Sequence, residues 1–294
     1  MLFSRRKQDK PAANARQGRL AIIAGSGPLP AHLIRAASEA GEDPFVIGIE
    51  GEAAPGLASP GAISSITEIG KTVSLIQRAG ATRVAFAGNF RRPDLDRMRF
   101  DWGALKAVPA IAKVKFGGDD AASSIIADIV SALGLTLVGP AEIAPQIVAP
   151  AGPVGGRKPA RGHLADIEFG FAAIRRMGPL DIGQAVVVAN RRIVAVEAAE
   201  GTDAMVSRIV ELRAGGRFRG RAPNGVLVKA AKPGQELRID MPTIGAVTVE
   251  RAVEAGLAGI AAETSRVLIP DIADVARLAD EAGLFVVGMA MPDE

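Results

Sequence analysis

At 294 residues the chain is long enough for two domains of ordinary size, and 48% hydrophobic with 23% charged residues is a globular balance. The absence of cysteine excludes disulfides, thiolate metal sites and cysteine nucleophiles. Only two histidines, His32 and His163, exclude a His-rich zinc centre and argue against a Ser-His-Asp triad. A net charge of +3 with 4% aromatic residues and no tyrosine leaves little to stack on bases, so no nucleic acid partner is expected.

The chain opens on a polar, basic stretch containing Arg5, Arg6, Lys7, Lys10 and Arg16, without the apolar core of a secretory signal. Residues 1–18 read as a disordered basic tail, and weak attraction to an anionic membrane face is the functional alternative. No apolar run reaches the roughly 18 residues that a transmembrane helix needs.

Beyond the tail, apolar runs at Leu20–Ala24, Phe45–Ile49 and Val84–Gly88 alternate with helical patterns at Leu29–Ala40, Glu68–Ala79 and Ser123–Leu133. Buried strands alternating with amphipathic helices predict right-handed crossovers and a parallel sheet, hence a Rossmann-like α/β domain over residues 19–139. Ligands of such sheets bind beyond the carboxyl ends of the strands. Two turns stand there: Gly25-Ser26-Gly27-Pro28, and the run from Gly88 to Pro93. The first is an incomplete dinucleotide fingerprint, with Pro30 where the third glycine belongs, which argues against a nicotinamide cofactor. A phosphate or sugar approaching the backbone N–H groups of that turn, or a purely structural turn, both remain open. Gly117-Gly118-Asp119-Asp120 precedes a helix that either aspartate could cap while the other faces a ligand.

Residues 140–161 turn to proline, glycine and alanine, with Pro140, Pro145, Pro150, Pro153 and Pro159. These prolines predict a linker or an interdomain loop outside packed regular structure. Residues 162–294 read as a second α/β domain with a mixed sheet. A helix is predicted over Asp166–Met177, and strands Ala185–Ala189 and Arg192–Val196 flank Asn190-Arg191 as a hairpin. Further strands are predicted at Gly225–Ala230, Gly259–Ala262 and Leu284–Gly288, and helices at Thr248–Ala255 and Ile272–Ala282.

The ionisable residues of this half gather at predicted element ends. Glu197 and Glu200 follow the hairpin, and Thr202 and Asp203 open the next helix. Lys229 and Lys232 bracket a strand end before the Pro233-Gly234 turn, and Asp240 stands two residues ahead of Pro242. Carboxylates at strand and helix ends beside paired lysines suit a metal-assisted phosphate site, with a hard cation on oxygen ligands and lysine heads on phosphate. Ordinary helix capping by the same carboxylates is the structural alternative. Gln184, after Asp181-Ile-Gly183, offers an amide to a polar ligand. With no cysteine and few histidines, phosphoryl chemistry through a metal-activated water is favoured over a covalent route.

Six segments in order carry a resemblance: Leu20–Pro30, Gly117-Gly-Asp-Asp120, Asp181-Ile-Gly-Gln184, Glu197–Met205, Lys229-Ala-Ala-Lys-Pro-Gly-Gln235 and Asp240-Met-Pro-Thr-Ile-Gly245. Together, from about Leu20 to Gly288, they resemble the LpxI type of UDP-2,3-diacylglucosamine pyrophosphatase. The resemblance implies a Mg²⁺-dependent hydrolase of lipid A biosynthesis that yields UMP and 2,3-diacylglucosamine 1-phosphate. It implies two domains with the lipid held between them, and a lipid-linked nucleotide-sugar as substrate. It also implies a homodimer, cytoplasmic and peripheral at the inner face of the inner membrane.

Carried over motif by motif, Asp240, Glu200 and Asp203 are the candidates for catalysis and for holding the metal. Gly25, Ser26, Gly27, Pro28, Asp119, Asp120, Gln184, Thr202, Lys229, Lys232 and Thr243 are the candidates for substrate contacts. The chain departs from the family in its longer basic start and its proline-rich segment. A different nucleotide-sugar enzyme, such as a transferase or dehydrogenase, and a non-enzymatic ligand-binding protein are the rival readings.

Overall fold

The computed structural model describes residues 18–57, 61–90 and 119–292. The basic tail, apart from Gly18, lies outside the described residues. So do the part of the Gly88–Pro93 turn beyond Phe90, Gly117 and Gly118, and the side chains of Asp119 and Asp120.

The first half alternates β1 (Arg19–Ala24), α1 (Leu29–Glu39), β2 (Phe45–Ile49), β3 (Gly61–Ser64), α2 (Ile69–Arg78), β4 (Ala81–Ala87), α3 (Asp119–Ala132) and β5 (Thr136–Leu137). Among the described residues all four strand pairings are parallel, in the order β3-β2-β1-β4-β5. The run Leu-Ala-Ile-Ile-Ala of β1 is buried throughout because the central strand of a parallel sheet is covered on both faces. Chain direction across the sheet reverses at β1 and β4, so the crevice for a ligand opens beyond Ala24 and Ala87. The short strands β3 and β5 escape sequence patterning: β3 is a half-exposed edge, and β5 is two residues long.

The proline-rich segment, expected outside packed regular structure, contains short regular elements and buried residues. Pro140 opens a helical turn, α4 (Pro140–Ile143), and Pro145 opens a 3-10 turn (Pro145–Ile147). Proline suits both places, since the first N–H groups of a helical turn have no partner within it. Ala144, Ile147 and Ala149 are buried, and the backbone of Ala149 and Ile269 pairs with that of Val267 and Ile147. Gly152–Pro153 forms β6, an antiparallel edge strand, a sheet position where proline is tolerated.

The second half continues with α5 (Arg161–Met177), the hairpin β7 (Ala185–Ala189) and β8 (Arg192–Val196), and α6 (Thr202–Ala214). It is completed by β9 (Val226–Lys229), α7 (Ala246–Glu254), β10 (Gly259–Glu263), α8 (Ile272–Ala282) and β11 (Phe285–Met289). The sheet is mixed, in the order β6-β11-β10-β9-β7-β8, with parallel β9, β10 and β11. Alternation along β7 assigns its two faces. Val186 and Val188 join Ile167, Phe171 and Ile174 of α5, while Ala185, Val187 and Ala189 join Met205, Val206 and Ile209 of α6 with the apolar faces of α7 and α8. Asn190 and Arg191 both take positive φ, 53° and 58°, as a tight two-residue hairpin requires.

The halves share a core. Leu237, Met241 and Leu268 pack with Leu20, Ile22 and Leu33, and Ile239 packs against the cluster of Ile23, Ile47 and Val84. His32 of α1 bonds Asp271 at 2.9 Å, and Arg35 donates to the other ring nitrogen at 2.9 Å. Since arginine can only donate, His32 Nδ1 is the acceptor and Nε2–H donates to Asp271.

Candidate active site

The segment Glu236–Met241 places Asp240 against the second sheet. Its turn is closed by the backbone N–H groups of Ile239 and Asp240, which donate to Glu236 O. Leu237, Ile239 and Met241 grip the first half, and Asp240 meets two amides of the second half. Gln235 Nε2 donates to Asp240 Oδ2 at 2.8 Å and Gln184 Nε2 donates to the same oxygen at 3.3 Å. Among the described residues Oδ1 accepts no hydrogen bond. Gln235 is itself fixed, its Oε1 accepting the N–H of Lys232 at 3.0 Å across the Pro233-Gly234 turn.

A second arm begins at the main chain of Gln184, whose N–H donates to Glu197 Oε2 at 2.9 Å. Glu197 Oε1 accepts the hydroxyl of Thr202 at 2.6 Å, and Lys229 Nζ donates to the Thr202 oxygen at 2.7 Å. These residues meet because β7, β8 and β9 are neighbours and α6 starts just after β8. Gly183 permits the approach. It takes φ +47°, and a Cβ there would stand 2.2 Å from the carbonyl oxygen of Glu197. Lys229 is buried, and burial pushes its ammonium below its ordinary range, while the negative charges of Glu197, Asp203 and Asp240 pull it back up. Glu263, at the end of β10, accepts the N–H of Ala231 at 2.9 Å; burial pushes its carboxyl up, against the pull of that bond and of Arg266.

The structure therefore brings Gln184, Thr202, Lys229 and Asp240 into one constellation and sets the other predicted residues around it. Asp203 is exposed at the start of α6, accepts the hydroxyl of Thr248 at 3.2 Å and acts on Lys229 through its charge. Glu200 is exposed and pairs with Arg208 at 3.0 Å. Lys232 is buried and bonded to Asp181, so both lysines are held inside the protein by its own side chains. Thr243 donates to Met241 O at 3.2 Å and steadies its own loop.

At the other sheet, the N–H groups of Gly25 and Ser26 are already taken, by Ala87 O at 2.8 Å and Asn89 O at 2.9 Å. A Cβ on Gly25 would stand 2.3 Å from Asn89 O, so this glycine serves the interlock of two turns; Gly27 and Pro28 are exposed at the rim. The backbone of Asp119 and Asp120 opens α3.

Among the described residues no three Asp, Glu or His side chains converge closely enough to hold a metal ion. A shared cage of Asp240, Glu200 and Asp203 is thus not assembled, with Glu200 turned to Arg208 instead. One carboxylate with a free oxygen does fit a hard cation of the Mg²⁺ kind, which is ordinarily held by one or two carboxylates together with substrate phosphates and water. Asp240 is that carboxylate. Sequence reasoning left Glu197 and Gln235 outside the candidate residues although both stand inside the matching motifs. Their signal was position: each lies within a few residues of a predicted strand end, where side chains of neighbouring strands converge.

Among the described residues no helix is long and apolar enough to cross a membrane. Comparison with known proteins agrees with the architecture. The family model for the LpxI N-terminal domain matches residues 19–147, and that for the LpxI C-terminal domain matches residues 150–287. The UDP-2,3-diacylglucosamine pyrophosphatase LpxI of Caulobacter vibrioides is 40% identical over 272 residues, which is 92% of this chain and 97% of that relative. Both domains in order and this identity along nearly the whole length show that the chain belongs to the LpxI family.

Proposed function

We propose that the protein hydrolyses the pyrophosphate of UDP-2,3-diacylglucosamine, adding one water across the P–O–P bridge to give UMP and 2,3-diacylglucosamine 1-phosphate, a step of lipid A biosynthesis. The observation that carries the reading is the constellation around Asp240, in a chain similar over 92% of its length to a relative of that activity. Asp240 would hold Mg²⁺ through its free oxygen, and the ion, when bound, supplies charge neutralisation at the pyrophosphate. Gln184 and Gln235 hold the other oxygen and so aim the carboxylate. Lys229 adds positive charge from inside the protein, and Gly27 and Pro28 form the rim beyond β1. In phosphoryl transfer such positioning and electrostatic stabilisation supply most of the rate.

A donor with two acyl chains resides in a membrane, so the enzyme works peripherally at the cytoplasmic face, and family likeness favours a homodimer. The test is release of UMP from labelled UDP-2,3-diacylglucosamine with Mg²⁺ and then with excess EDTA. Release abolished by EDTA is expected, as is a loss of about a hundredfold or more in folded Asp240→Asn, roughly 3 kcal/mol of transition-state stabilisation. Near-normal turnover by that variant would remove Asp240 from its role, and no turnover by the wild-type protein would remove the reading itself.

A further inference from the structure

Glu197 stands at the corner where β7, β8, β9 and α6 meet, and it is buried, with 9% of its surface exposed. Both carboxylate oxygens are engaged: Oε2 accepts the N–H of Gln184 and Oε1 accepts the hydroxyl of Thr202. From these contacts one route leads by hydrogen bonds to Asp240 and a second leads to Lys229, on which the charge of Asp240 acts. One runs through Gln184, whose side-chain amide donates to Asp240, and the other through Thr202 to the buried head of Lys229. The absence of a side chain at Gly183 lets its turn close on the backbone of Glu197.

We infer that Glu197 is a positioning residue for the reaction, a single buried carboxylate that fixes both Gln184 and Lys229 relative to Asp240. This role rests on the reading that the Asp240 constellation hydrolyses a pyrophosphate. Glu197 has both oxygens occupied by protein donors, so it acts through its neighbours and touches no substrate. Its charge is matched to its partners in a way that an amide cannot copy. Glutamine keeps one acceptor oxygen for the Gln184 N–H, but its NH2 can only donate toward Thr202, so Glu197→Gln removes the anion and the acceptor of the Thr202 hydroxyl and forces that hydroxyl to turn away.

The experiment measures kcat and KM per folded molecule for wild type, Glu197→Gln, Thr202→Val and the double variant, with folded fraction taken from near-UV circular dichroism and thermal melts. Displacing a catalytic group by a fraction of an ångström through its support costs about 10- to 100-fold. We therefore expect that loss in kcat for Glu197→Gln with KM within about twofold, because ground-state binding is left in place. Thr202→Val severs only the Lys229 arm and should lose kcat as well. The double variant should lose less than the product of the single losses, since both substitutions cut the same connection. A folded Glu197→Gln with unchanged kcat overturns the inference, and so do strictly multiplicative losses. Should Glu197→Gln fail to fold, a full kcat in Thr202→Val overturns the Lys229 arm on its own. Wild-type turnover distinguishes the two levels: without it the functional reading falls and this role with it, whereas turnover untouched by these substitutions removes the role alone.

Discussion

Lys229 ends β9 inside the protein, its ammonium donating to Thr202 with Glu197, Asp203 and Asp240 as the surrounding anions. Burial outweighs those anions and lowers its proton affinity below that of an exposed lysine. The unfolded chain therefore binds more protons than the folded one between the lowered value and about 10.4, and stability must rise with pH across that window. The chain has no tyrosine and no cysteine, so lysines dominate titration there. We expect the urea-unfolding free energy of wild type to rise as pH approaches about 10 from below, relative to Lys229→Met, which keeps the length of the side chain and removes its charge. A difference between the two proteins that stays flat with pH would show that Lys229 titrates as an exposed lysine does. At this scale the sequence told where charged groups cluster and not what they bind. Lys229 and Lys232 read as paired phosphate ligands, yet one is given to Thr202 and the other to Asp181. The reason is that spacing along a chain carries no information about contacts made across neighbouring strands. For the same reason Glu197, although noted at the end of the hairpin, and Gln235 were left out of the candidate residues.

Elements are held together by polar contacts as well as by apolar faces. Asp166 of α5 is buried and accepts the N–H groups of Asn190 at 3.0 Å and Arg191 at 2.6 Å, so one carboxylate ties the helix to the turn of the β7–β8 hairpin. Both donors lie where left-handed backbone leaves them no ladder partner. Asp166→Ala should cost about 2–4 kcal/mol of stability, from two charge-assisted bonds lost and two donors unpaired. Turnover per folded molecule should stay near that of wild type, because the turn lies at the opposite end of β7 from Gln184. Urea melts and specific activity together test this, and a stable variant would mean that water replaces the carboxylate. The hairpin itself was legible, since two apolar, β-branched runs flank a two-residue polar turn. So were β1, β2, β4 and the long helices, whose apolar periods are unbroken. The prolines of residues 140–161 misled, because proline forbids helix interiors and central strands while permitting helix starts and sheet edges, the places it takes here.

Across the whole molecule, the candidate site depends on both halves at once. Asp240 is aimed by amides of the second half, while Leu237, Ile239 and Met241 around it are seated on the first. Leu268 is fully buried in the shared cluster with Leu20, Ile22 and Leu33, and its backbone pairs with that of Pro242 and Ile244, the continuation of the Asp240 segment. Loosening one half should therefore be felt in the other. Leu268→Ala opens a cavity in that core and should cost about 3–5 kcal/mol. For a chain of this size each kcal/mol lowers the midpoint by about 2–4 °C, so a fall on the order of 10 °C is expected. The informative feature is the shape of the calorimetric trace. If the shared core makes one cooperative unit, the wild type melts in a single endotherm that the substitution moves as a whole. If the halves melt separately, the substitution splits the trace and the domains meet at an interface too weak to couple them. In that case the aim of Asp240 would have to come from Gln184 and Gln235 alone. Tight coupling would instead make the first half a working part of the site, supplying the wall against which the Asp240 segment is pressed.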